Sequence, residues 1–151
     1  MNESTDSFET LRSQMISLTS DSEILCQLLL AEREALVSRD SVGLQEIIES
    51  KRSKCADIER ATMALGTTPL PEQIRSADPN QIPELEHLHT SLLAKADQAQ
   101  EYNAVNGKIV HRSQQSVRDL IHLISGMDAE LLYGNQGQTM ATAKGTAIAK
   151  A

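Results

Sequence analysis

PELEHLHTSLLAKADQAQEYNAVNGKIVHRSQQSVRDLIHLISGMDAELL, residues Pro83–Leu132, decides the fold. After Pro83 it contains no proline. Leu85, Leu92, Ala96, Ala99, Val110, Val117, Leu120, Ile124, Met127 and Leu131 fall on one alternating three-four register, the signature of an amphipathic helix. Asn103, Asn106 and Gly107 interrupt it in the middle. At 1.5 Å per residue such a helix would be about 75 Å long. The rest of the chain offers no hairpin of that length, so part of the stripe should stay open for a partner.

The preceding segments supply two more long helices. Phe8, Leu11, Met15, Leu18, Ser22, Leu25, Leu29, Glu32 and Leu36 follow a heptad register that predicts a first helix from about Thr5 to Arg39. Asp6 is its expected N-cap, with Glu9 three residues on. Ser38-Arg39-Asp40-Ser41 breaks the register, and Asp40 or Ser41 can cap a second helix over 42–65, with Leu44, Ile48, Cys55, Ile58 and Leu65 on its seam. A link this short makes the pair antiparallel. Gly66 supplies a left-handed stop. Pro69, Pro71 and Pro79 then exclude a long helix, leaving room for one isolated turn over 71–75. Beyond Gly134 the chain is mostly small and polar, too poor in apolar side chains to offset its ordering entropy. The expected fold is all-α: an antiparallel bundle of three long helices with a proline-containing connection, one domain over 1–133, and a mobile C-terminal tail over 134–151.

Composition narrows the function. Only three aromatic residues (Phe8, Tyr102, Tyr133) are present, so packing rests on Leu, Ile, Val, Ala and Met, which suits helical seams better than a sheet. A net charge of −7 argues against nucleic acid as a partner. The charge is uneven: residues 1–106 carry nine Lys/Arg against eighteen Asp/Glu, and 107–151 carry five against three. The sign changes near Gly107. The polar, acidic start is unlike a signal peptide, and the longest apolar run, Leu28–Ala31, is far short of a membrane span. A cytoplasmic protein with reduced thiols and no membrane insertion is expected. Cys26 and Cys55, nearly symmetric about Asp40, read as two small buried residues at one level of the hairpin.

No catalytic constellation stands out. Glu84-Leu-Glu-His87 and Glu86-His-Leu-His89 have the Glu-x-x-His spacing of di-iron bundles, but both copies share one helical turn and point their histidines apart. His111 and His122 are isolated. The reading is of a non-enzyme without metal or other cofactor.

Past Gly107 the apolar positions multiply: Ile109, Val110, Val117, Leu120, Ile121, Leu123, Ile124, Met127, Leu131 and Leu132. That stripe is wider than one neighbouring helix requires. Burying each side chain is worth about 1.5–3 kcal/mol, enough to hold an amphipathic segment. The candidate partner-binding residues are Val110, Val117, Leu120, Ile121, Ile124, Met127 and Leu131. Asn106 and Gly107 are the candidate helix hinge. The same stripe would also serve a self-associating coiled-coil adaptor, or be covered by the first helix.

Asn103-Ala-Val-Asn106-Gly107-Lys-Ile109, Val117-Arg-Asp-Leu120-Ile-His-Leu123 and the ending Tyr133-Gly-Asn-Gln-Gly137 resemble the FlgN family of flagellar export chaperones. Leu28-Leu-Leu-Ala-Glu32-Arg-Glu-Ala-Leu36 and Ile48-Glu-Ser-Lys51 add to the likeness, which covers nearly the whole chain. The resemblance implies a small cytoplasmic chaperone, monomeric rather than dimeric. It would hold hook-filament junction proteins unassembled and bring them to the flagellar type III export gate. It also implies gate docking through Tyr133, although Gly134 follows where many members carry an acidic residue.

Overall fold

A computed structural model describes residues 3–125. The described chain is all-helical, with four helices rather than three: α1 (Glu3–Ser38), α2 (Ser41–Ala64), α3 (Leu70–Arg75) and α4 (Ile82–Ser125). The chain divides into two compact units, Met1–Gly107 and Lys108–Ala151, and α4 contributes to both. Met127, Leu131, Tyr133 and the segment 134–151 lie outside the described residues.

Local chemistry sets the boundaries in the first unit. Arg39 adopts a left-handed backbone, φ 58°, and the Asp40 amide returns to the Ala35 carbonyl at 3.0 Å, closing α1. Asp40 then caps α2, its carboxylate accepting from the Gly43 amide at 3.0 Å. A Cβ at Gly43 would collide with that carboxylate, so the cap depends on the glycine. Gly66, φ 85°, ends the hairpin as its sequence position required. Asp6 is not the cap of α1. The helix is already formed at Glu3, and the Asp6 carbonyl accepts from Thr10 Oγ1 inside it.

The helices are aligned by paired polar groups. Lys54 meets Asp21 at 3.1 Å and Lys51 meets Glu32 at 2.5 Å, so α2 runs antiparallel to α1. Arg12 with Glu84, Glu23 with Lys95 and Arg33 with Asn106 keep a nearly constant sequence offset, so the part of α4 up to Asn106 runs parallel to α1. The apolar centre is small and lies where the connection crosses. Met15, Ile74 and Leu85 are buried there, with Phe8, Leu11, Leu70, Ala77, Ile82 and Leu88 around them. The expected isolated turn is therefore a helix that supplies core. Gln73 fastens it to the end of α2, donating to Leu65 O at 2.9 Å and Thr68 O at 2.7 Å.

Three seam assignments are corrected. Cys55 and Ile48 are exposed, because Ile47, Lys51 and Lys54 take the α2 face towards α1. Ala96 is exposed while Lys95, paired with Glu23, is half-buried. On α1 the buried positions after Ser22 are Cys26, Leu29, Glu32 and Ala35, with Leu25 and Leu36 at the flanks. On α2 and α4 a lysine with a partner on α1 takes the inward place, its aliphatic stem serving as packing, whereas on α1 the smaller Cys26 and Ala35 take it from Leu25 and Leu36.

Two outcomes follow. A thiol reagent should modify exposed Cys55 in the folded protein. Cys26 should react only on unfolding, because burial raises its pKa and denies access, as a denaturant series would read. The second concerns pH. Hydrogen bonds to Asp21 and Asp57 hold Lys54 above the ordinary lysine range, and the bond to Lys54 holds Asp57 below the ordinary carboxylate range. The lysine contribution is complete below the unfolded pKa of about 10.4 and lost as pH rises through the folded value. The Asp57 contribution is complete above about 3.9 and lost as pH falls through its folded value. Lys54→Met should therefore lower the urea midpoint at neutral pH and flatten both the acid and the alkaline arms.

Candidate functional site

The site is approached through the last residues of the first unit. Asn106 is 3% exposed in α4, and its amide is used on both sides. Nδ2 donates to the Leu29 carbonyl at 2.8 Å and to Glu32 Oε2 at 2.8 Å, while Oδ1 accepts from Arg33 Nε at 3.1 Å. The other Glu32 oxygen takes Lys51 from α2. Arg33 in turn lies over the Tyr102 ring, 5.2 Å from its centroid, and the Tyr102 hydroxyl accepts from Gln98 at 2.9 Å. Arg33 Nη2 is buried and has no hydrogen-bond partner among the described residues. Asn106 thus ties α1 to α4 one residue before the first unit ends.

The hinge residues differ from each other. Asn103 is exposed, Asn106 is buried and fully engaged, and a Cβ at Gly107 would meet nothing within 4 Å. The α-helix is continuous through all three. Gly107 is thus not required by close packing in the described structure.

In the second unit, the described helix from Lys108 to Ser125 has a row of open apolar side chains. Exposure is 39% at Val110, 48% at Val117, 54% at Leu120, 82% at Leu123 and 76% at Ile124. Ile109 and Ile121 are half-buried. Five of the seven residues assigned to partner binding are described, and four of those five are exposed; Met127 and Leu131 lie outside the described residues. Leu123, the most open of the row, was missed as a site residue because it sits off the three-four register through Leu120 and Ile124. A wider apolar arc, i to i+3 on both edges, is the signal that includes it.

Large apolar side chains are exposed in the first unit as well: Ile16, Ile24, Leu30 and Val37 on α1, with Ile16, Leu30 and Val37 at heptad spacing, Val42, Ile48 and Met63 on α2, and Leu93 on α4; none is as open as Leu123 or Ile124. An open groove of about 720 Å³ lies at the foot of the first unit, lined by Phe8, Leu11 and Leu65 but also by Ser4, Ser7, Thr10, Gln14 and Gln73. Its floor, Leu85, belongs to the core, and its rim is hydroxyl and amide. His87 is exposed and His89 half-buried, and among the described residues no group of three potential ligands could hold a metal ion.

The described residues are all helical, with a small apolar cluster in the first unit and a row of exposed aliphatic side chains along α4. The family model described as FlgN protein matches residues 1–141, and the chain belongs to the FlgN family, a family of flagellar export chaperones. Neither the curated proteins nor the solved structures searched gave a match. Among the described residues no helix is long and apolar enough to cross a membrane.

Replacing Asn106 with Ala leaves Glu32 Oε2, the Leu29 carbonyl and Arg33 Nε short of a partner in a dry seam. Chemical denaturation should show a loss of about 2–4 kcal/mol. Gly107→Ala, with open space at its Cβ, should instead gain up to about 1 kcal/mol.

Proposed function

We propose that this protein is a cytoplasmic type III export chaperone for the hook-filament junction proteins. Its strip Val110, Val117, Leu120, Ile121, Ile124, Met127 and Leu131, extended by Leu123, covers an amphipathic helix of the subunit and so prevents premature assembly. Tyr133 then docks the loaded chaperone on the flagellar export gate. Asn106 and Gly107 act as the joint of α4: the asparagine anchors the base of the strip, and the glycine after it gives the helix its freedom to adjust. The chaperone acts as a monomer that takes up one subunit.

The observation that carries this reading is the contiguous exposure of Val117, Leu120, Leu123 and Ile124 in a chain of this family. Uncovered aliphatic area of that kind is costly in water and is recovered when a partner helix lies on it. The chemistry of the strip is a binding chemistry: it offers no nucleophile and no paired acid and base.

Leu120→Asp combined with Ile124→Asp should abolish junction-subunit binding in a pull-down while leaving the helical circular dichroism unchanged. Retained binding would move the site elsewhere. Tyr133→Ala should spare subunit binding and weaken gate docking. Equal loss of both would make the tyrosine structural. Light scattering should give a monomer that becomes a one-to-one complex; a stable dimer of the free chain would favour a self-associating adaptor.

A further inference from the structure

Polar contacts fix α1, α2 and the first part of α4 to one another. Lys51 and Lys54 bind α2 to Glu32 and Asp21 of α1, and Arg12, Glu23 and Leu29 of α1 hold Glu84, Lys95 and Asn106 of α4. The short helix α3 has nothing of the kind. Among the described residues no hydrogen bond or ion pair joins it to α1 or α4: Gln73 donates to the Leu65 and Thr68 carbonyls, and the Ser76 hydroxyl turns back to Glu72. Apolar contact alone seats α3 on them. Ile74, its buried residue, is 3% exposed and clusters with Met15 and Leu85, both 0% exposed, while Leu70 and Ala77 pack alongside.

The helix itself has little to keep it in place. Its six residues are too few for a helix to persist alone, and Pro69 at the N-cap makes no side-chain capping bond. A bend stands on either side. Gly66 has φ 85° and open space where a Cβ would point, and at Asp78 the chain turns, with Oδ1 accepting from the Asn80 amide at 3.1 Å. Next to α3 runs the open groove whose floor includes Leu85, and Gln73, Ser76 and Ala77 form part of its lining.

We propose that residues 67–77 are a strap that lifts between Gly66 and Asp78, uncovering Met15 and Leu85 while α1, α2 and α4 up to Asn106 stay folded. Lifting gives up the burial of Ile74 and the bond from Gln73 to Leu65, and it breaks no hydrogen bond to α1 or α4. The uncovered floor then extends the groove already lined by Phe8, Leu11 and Leu65. The first unit thus holds a second apolar surface, closed at rest and opened without unfolding. This inference does not depend on the strip of α4.

Two measurements on the native full chain test it, both in a urea series kept below the unfolding transition. In hydrogen exchange, the amides of Ile74, Arg75 and Ser76 should exchange at least about a hundredfold faster than those of Leu18 and Leu29, after correction for intrinsic rates. Their rates should hardly change with urea, because a small opening exposes little surface. In peroxide oxidation read by mass spectrometry, Met63, 70% exposed, should react at once, and Met15 should follow at a rate that is likewise insensitive to urea. Fast α3 amides with Met15 oxidised only in step with global unfolding would overturn the proposal, since the helix would then fray over a floor that stays covered. A single exchange rate and a single urea dependence for α1 and α3 would overturn it too, by making α3 part of one cooperative unit.

Discussion

The buried contact of Asn106 with Glu32 is the constraint on which the rest of the first unit depends. Glu32 is 7% exposed, and an isolated carboxylate at that depth would be strongly disfavoured. It is tolerated because Lys51 of α2 and Asn106 of α4 reach its two oxygens. A single side chain of α1 therefore fixes both neighbours. Sliding α4 by one heptad would bring Ala99 or Ser113 to the place of Asn106, and neither can make the same two-sided contact. Sliding α2 would bring Leu44 or Ile58 to the place of Lys51 and leave the carboxylate bare. Leucine-rich seams are indifferent to such slips, and polar contacts of this kind are what make one register win.

The cost of that arrangement is a small core. Met15, Ile74 and Leu85 form the buried apolar cluster, gathered at the crossing of the connection, and α2 has no fully buried residue. Away from the crossing, Leu18, Cys26, Leu29 and Ala35 of α1 are also buried, and the helices are joined by lysine–carboxylate pairs and by the asparagine contact as well. Exposed pairs contribute little individually, so alignment, rather than large stability, is what these contacts provide. Between Lys108 and Ser125 the aliphatic side chains of Val110, Val117, Leu120, Leu123 and Ile124 are exposed.

How much of this was legible in the sequence follows from the kind of signal each feature leaves. Asp40, Gly66 and the prolines act on their own backbone, so the ends of α2 and the place of the connection were readable within a residue or two. The open row past Gly107 was readable because it is a local periodicity. The charged seam was not. Lys51, Lys95 and Asn106 look like surface residues until Glu32 and Glu23, tens of residues away, are brought beside them, and no local pattern encodes that. For the same reason Cys55 and Ile48 were placed inward when a paired lysine held the position. The nearly constant offset linking Arg12 to Glu84, Glu23 to Lys95 and Arg33 to Asn106 is the one long-range signal that would have found it. Asn106 was noticed as a break in the apolar register, but its meaning as a clamp required its partners.

The central claim is that the row from Val110 to Ile124 is the part of the chain that meets an exported subunit, while the first unit is a fixed scaffold. Hydrogen–deuterium exchange on the full chain, free and saturated with a junction subunit, tests it most directly. The account predicts that amides between Val110 and Ile124 gain strong protection on loading, with little change between Met15 and Ala35. Protection gained along α1 and α2, with 110–124 left as in the free chain, would contradict it.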